Sequence, residues 1–156
     1  VTGVACTALD ITERVAAEAD RRDGAERLRL AQDAAGIGIH DYNPATGHIR
    51  WDDRVRALWG VGPDEPVTYD LFLAGLHPDD RGPTQAAVDR ALDPAGDGRY
   101  SAEYRVTSRR DGVERWVVAT GDVTFRDGRP VRLVGTVHDV TARKRAEAEV
   151  RASEER

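Results

Sequence analysis

The chain has 156 residues, a formal net charge of −5, 40% hydrophobic and 33% charged residues, which suits one globular domain with charged helical flanks. Its arginines are interspersed with Asp and Glu, which argues against a dedicated nucleic-acid face or a polybasic membrane patch. The single cysteine, Cys6, cannot form an internal disulfide, no metal-ligand spacing occurs, and no apolar run approaches the ~18 residues of a membrane span.

From the N-terminus, "ALDITERVAAEADRR" (8–22) is an apolar stretch, then Asp10-Ile11-Thr12, then a run rich in Ala, Glu and Arg. The same phrase closes the chain as "VHDVTARKRAEAEVR" from Val137. Thr7, Asp10, Thr12 and Arg14 match Thr136, Asp139, Thr141 and Arg143. Asp and Thr cap helix N-termini by accepting backbone N–H bonds. Each copy therefore reads as strand, cap, helix, with Asp10, Thr12, Asp139 and Thr141 at the junctions. Both helices are too polar to pack alone and fit a solvated linker or a weak coiled coil.

"AERLRLAQDAAG" predicts a helix stopped at Gly36. "IGIHDYN" and "HIRW" predict a hairpin around "PATG". "DDRVRALWG" is a short helix started by Asp52 or Asp53 and stopped at Gly60, and "TYDLFLAGL" is another. "HPDDRGPTQAAVDRAL" carries Ala87, Val88, Ala91 and Leu92 at helical spacing, with Pro and Asp suited to its first turn. The period then changes to two: "RYSAEYRVTSR", "VERWVVATGDVTFR" and "PVRLVGTVHDV", separated by two "RDG" turns, predict a three-strand antiparallel meander. Two strands, small helices and three strands make an α+β design, a five-stranded antiparallel sheet with short helices on one face.

The chemistry is sparse. No G-x-S-x-G, H-E-x-x-H, Walker loop or C-x-x-C occurs. His77 with Asp79 and Asp80 reads as a helix start rather than a metal site. His40 and His48, flanking the hairpin turn, are expected exposed or facing a partner. His138 beside Asp139 is expected to be structural, with a pH-sensitive junction as the sharper reading. A pocket between sheet and helices would be lined by Ile39, Trp51, Leu58, Phe72, Val88, Leu92, Tyr104, Trp116 and Val118, which fill a core as readily as they stack on a planar ligand. A different class, a small cone-shaped enzyme of ketosteroid-isomerase type, needs a carboxylate in an apolar pocket. Asp41 and Asp122 are the strand-borne candidates.

The phrases "GIGIHDYNPATGHIRWDDRVRALWG", "LHPDDR", "RDGVERWVVATGDV" and "DGRPVRLVGTVHDVTARKRAE", in that order and spacing, resemble a PAS domain of the kind common in bacterial sensor proteins. His40 stands where that family often carries Trp. The resemblance implies that 1–9 end a preceding PAS domain with its last strand, that 10–24 are a linker helix, that 25–138 are the PAS domain, and that 139–156 are a C-terminal signalling helix. It implies a sensory or relay module, itself not an enzyme, dimerising through its flanking helices. Its neighbours would be the adjacent PAS domain and an output domain, a histidine kinase or a cyclic-dinucleotide enzyme, in the cytoplasm. Haem-binding relatives place a ligating His on the long helix, and "TQAAVDRAL" (84–92) has none. Light-sensing relatives use a Cys on that side of the fold, and Cys6 lies outside the domain. Haem and a cysteinyl-flavin adduct are thus not expected, and non-covalent flavin or a metabolite stays open.

Overall fold

The computed structural model describes the backbone of residues 2–155 and the side chains of residues 11–155. It divides into two units, Val1–Ala35 and Gly36–Arg156.

The first unit is one helix, α1 (Thr2–Ala35). A 34-residue helix is about 50 Å long at 1.5 Å per residue. It runs through Gly24 without a break. The expected boundary between residues 24 and 25 therefore falls inside a helix, and the compact domain starts at Gly36. The strand expected over 1–9 is replaced by helix from Thr2. A lone strand leaves its N–H and C=O groups unpaired, whereas a helix satisfies them from within. Thr12 sits inside α1 rather than at a cap, and the Asp10 side chain lies outside the described residues. Among the described side chains of α1 only Gln32 is partly buried.

The second unit follows the expected order: β1 (Ile37–Tyr42), β2 (Ile49–Trp51), α2 (Asp53–Trp59), α3 (Tyr69–Gly75), α4 (Pro78–Leu92), β3 (Arg99–Thr107), β4 (Glu114–Arg126), β5 (Arg129–Asp139) and α5 (Thr141–Glu154). The strands form one antiparallel sheet in the order β2-β1-β5-β4-β3. Joining β1 to β5 closes the hairpin onto the meander and makes β1, β5 and β4 the sheet's interior.

Local chemistry sets the element ends. Asp52 caps α2 by accepting from Val55 N at 3.0 Å, and its other oxygen accepts from Ile39 N at 2.9 Å, tying the helix to β1. Gly60 stops α2 in the left-handed region, φ 75°. A side chain there would meet the backbone of Arg109 and Arg110. Thr68 caps α3. His77 caps α4, its Nδ1 accepting from Asp79 N, with Pro78 opening the first turn. Asp127 and Gly128, φ 52° and 74°, make the tight turn from β4 to β5, the two-positive-φ geometry that Asp-Gly favours.

The core lies between the sheet's inner face and α2–α4. Trp59 is its centre, 1% exposed. Its ring lies 4.6 Å from Trp51, 5.9 Å from Phe72 and 6.1 Å from Tyr104, and its Nε1–H donates to Phe72 O at 3.1 Å. That bond makes Trp affordable in the core, because burial leaves no polar atom unpaired.

Candidate functional site: an inner cavity and a strand–helix junction

Strand alternation decides which side chains reach the inner cavity. From β1 they are His40 and Tyr42, and from β2 Ile49 and Trp51. β3 supplies Tyr100 and Tyr104, β4 Ala119, and β5 Leu133 and Val137. The helical wall is Trp59, Tyr69, Phe72 and Val88. The cavity measures about 50 Å³ and its walls are almost wholly apolar.

Four of the nine expected lining residues, Trp51, Phe72, Val88 and Tyr104, are on this wall. Five are not. Ile39, Trp116 and Val118 alternate out of phase with the inward-facing His40, Val117 and Ala119, so they lie on the opposite face of the sheet. Leu58 is buried against a different groove, with Arg54, Arg115, Asp139 and Thr141. Leu92 packs at the margin of the core. Asp41 is on the outer face in a two-pronged ion pair with Arg132 (3.0 and 2.7 Å), and Asp122 is exposed. Neither carboxylate lines the cavity.

His40, expected at the surface, is 8% exposed. Two glycines admit it. His40 in β1 pairs with Gly135 in β5, and Gly135 pairs with Gly121 in β4. With no side chain at either position, the ring reaches β4 and places Nε2 2.8 Å from Thr120 O. A Cβ on Gly121 would come within 3.3 Å of the ring. The carbonyl only accepts, so Nε2 carries the proton. Burial lowers the imidazole's pKa, opposed by the Thr120 bond and by Asp41, so the neutral ring is favoured.

The tyrosines are likewise neutral. Burial raises Tyr100 and Tyr104, whose hydroxyls share a hydrogen bond. It pushes Tyr69 up to about 12, the neighbouring Tyr42 and Asp89 adding to the shift. Tyr69 donates to Gln85 Oε1 at 2.7 Å.

The second feature is where β5 becomes α5. Val140 N–H donates to Trp116 O at 2.8 Å, and Trp116 N–H donates to Thr141 Oγ1 at 3.0 Å. Asp139 Oδ1 accepts from Thr141 N at 2.9 Å and from its hydroxyl at 2.6 Å. Lys144 then lies over the Trp116 ring, 4.8 Å from its centre, with Arg105 5.0 Å away. Glu103 on β3 pairs with Lys144 and, at 3.7 Å, with Arg143. The first turn of α5 is thus held to β3 and β4 by hydrogen bonds, ion pairs and a cation–π contact.

His77 caps α4, while Asp80 is gripped by Arg105 through three bonds of 2.8–2.9 Å, which holds its carboxyl below the ordinary range. His48 and His138 are exposed. Among the described residues, no three His, Cys, Asp or Glu side chains come together as a metal cluster would require. No helix of the described residues is long and apolar enough to cross a membrane.

The PAS fold family model matches residues 48–137 of this sequence, β2 through most of β5. The chain belongs to the PAS fold family. Sensor protein FixL of Bradyrhizobium diazoefficiens is 31% identical over 130 residues, 83% of this chain and 25% of FixL. The blue-light-activated histidine kinase of Brucella anthropi is 30% identical over 138 residues, 88% of this chain and 27% of that protein. The chain thus spans about a quarter of the length of these curated relatives. A solved sensory box histidine kinase/response regulator from Burkholderia thailandensis superimposes with a TM-score of 0.67 at 33% identity, over 83% of this chain and 95% of that one. With these relatives, the PAS domain described here is a sensory module of a bacterial signalling protein.

At about 50 Å³ the cavity is small. Drug-sized ligands occupy roughly 300–1,000 Å³, far above the volume here. The side of the cavity formed by α4 offers only Val88.

Proposed function

We propose that this PAS module relays a conformational signal from its sheet into α5, within a longer bacterial sensor of which a histidine kinase is the output. A cyclic-dinucleotide enzyme is the alternative output. The observation that carries this reading is the junction. Trp116, in an interior strand, bonds both Val140 and Thr141 through its backbone, and its ring lies beneath Lys144. A shift of β4 along its axis cannot leave the first turn of α5 in place. Helix pairs have discrete packings, so a small displacement at the root of a helix can select between them.

On this reading the protein is a cytoplasmic homodimer, paired through its flanking helices, with a further PAS domain before it and the output domain after it. Exposed apolar side chains on α1 (Ile11, Val15, Leu28, Leu30) and on α5 (Val150) are those a second copy would cover. The test is hydrogen exchange on Thr141→Val, which removes the acceptor for Trp116 N–H. The relay reading expects faster exchange at Trp116 and through residues 142–146, with β2 unchanged. A change confined to Trp116 would reject it.

A second reading, a ligand-binding sensor, is favoured by one observation: a buried neutral histidine on the wall of an apolar cavity.

A further inference from the structure

We propose that the groove at the root of α5 binds a small organic carboxylate with an apolar body, which holds α5 against α2 and β4 by pairing with Arg145, Arg54 and Arg115. The site stands on its own geometry, and its effect on α5 rests on the relay reading above.

The groove shares no lining residue with the inner cavity. It measures about 540 Å³, within the roughly 300–1,000 Å³ of small-molecule sites. Arg54 and Leu58 come from α2, Arg115 from β4, and Ala142 and Arg145 from α5. A molecule seated there meets three elements at once, and one of them is the helix that leaves the domain.

Charge selects the class of ligand. The chain carries −5 overall, yet the groove is lined by three arginines and a single carboxylate, Asp139. Asp139 Oδ1 already accepts from the amide and the hydroxyl of Thr141. Asp111 pairs with Arg115 through one nitrogen, Nη2, at 3.0 Å. Counted with the lining residues, it still leaves three cations to two anions. A guanidinium has five N–H donors, so an arginine held at one nitrogen retains others for a second carboxylate. A cationic ligand would add to the excess of positive charge and is a poor occupant.

The rest of the wall selects the body. Leu58 is buried, whereas Val113 is 41% exposed and Ala142 is exposed as well. A ring or alkyl group in the groove takes apolar surface out of water. Inorganic phosphate would answer the arginines and leave Val113 wet. A carboxylate on an apolar body answers both.

Benzoate, its uncharged isostere benzamide, and inorganic phosphate separate these requirements. Each is titrated into the whole ¹⁵N-labelled chain while the Val113, Ala142 and Arg145 amides are followed. Benzoate should shift these amides saturably at millimolar concentration, bind at least tenfold tighter than benzamide and threefold tighter than phosphate, and weaken as sodium chloride rises. Arg145→Gln, at an exposed position, keeps the fold and should weaken benzoate at least threefold. Absence of a saturable shift, equal affinity for benzoate and benzamide, an undiminished affinity in Arg145→Gln, or shifts confined to His40, Val88 and Tyr104 of the inner cavity would each overturn the site. Phosphate binding as tightly as benzoate would overturn the apolar body. Saturating benzoate should also slow amide exchange at residues 142–146. Benzoate bound in the groove with that exchange unchanged would uphold the site and reject its hold on α5. The Thr141→Val exchange experiment is run without benzoate, so failure of the relay reading shows there and failure of the site shows here.

Discussion

At the scale of single residues, His40 has the largest consequences. Its pKa in the fold is below that of the unfolded chain, so below about pH 6.5 the unfolded state binds a proton that the native state resists. Stability is therefore complete above the unfolded value and falls as pH drops through it, by at most about 1.4 kcal/mol per pH unit. We expect the melting temperature to decline between pH 7 and pH 5 and the decline to flatten in His40→Phe, as measured by circular dichroism. Asp80, held down by Arg105, acts in a lower window. Its contribution is present above the usual carboxylate value near 4 and is lost as pH falls below it, so Asp80→Asn flattens only that part of the profile.

The glycines beneath His40 give a second residue-scale prediction. A Cβ on Gly135 would sit 1.8 Å from Thr120 O, an overlap with backbone that no rotamer relieves. Gly135→Ala should cost more than about 2 kcal/mol in urea unfolding. Gly24→Ala in α1, with nothing within 4 Å, should instead raise helicity, favoured by about 1 kcal/mol. A neutral Gly135→Ala would mean that β4 and β5 are not packed as described. None of this was legible at His40 itself, where a histidine next to a turn reads as surface. The available signal was its parity with Tyr42 and the unbranched pair Gly121 and Gly135, which together open a path across β5.

At the scale of elements, several ends of helices and strands were readable because local chemistry fixes them: Asp52 or Asp53 and Pro78 mark helix starts, Gly60 stops a helix, and Asp127-Gly128 turns a hairpin, with the structure choosing Asp52 as the cap and adding Thr68. The inward face of β1 and β4 was not readable. Both strands carry apolar residues on each face: Ile37 and Ile39 oppose His40 and Tyr42, and Trp116 and Val118 oppose Val117 and Ala119. Alternation shows a phase only when one face is polar. Trp116 is apolar and outward because Lys144, Arg105 and the root of α5 use that face. The ion pairs there are half exposed, so Glu103→Gln should cost less than about 1 kcal/mol of global stability. It should nonetheless loosen the first turn of α5, seen as faster amide exchange at residues 143–147. Unchanged exchange would show that the hydrogen bonds at Thr141 alone hold that turn.

At the scale of the whole molecule, the order of elements and the α+β architecture follow from periodicity and turns. The fate of residues 2–9 does not: the phrase they share with 131–138 reads as strand, and becomes strand only where a sheet offers partners. Among the described residues, β5 has two such neighbours in β1 and β4. Association is also a property of this scale. Native mass spectrometry at micromolar concentration should find a dimer, and Ile11→Lys with Val15→Lys should shift it toward monomer. A wild-type chain that stays monomeric as concentration rises would remove the helical dimer from the account.

The central claim is that the signal leaves through the Asp139–Thr141 junction. Its most direct measurement is the autophosphorylation rate of the full-length parent protein carrying Asp139→Ala, with the melting temperature of the same preparation. The account predicts a change of fivefold or more in rate while the melting temperature stays within about 4 °C, as loss of a single surface hydrogen-bond acceptor allows. An unchanged rate in a folded protein would contradict it.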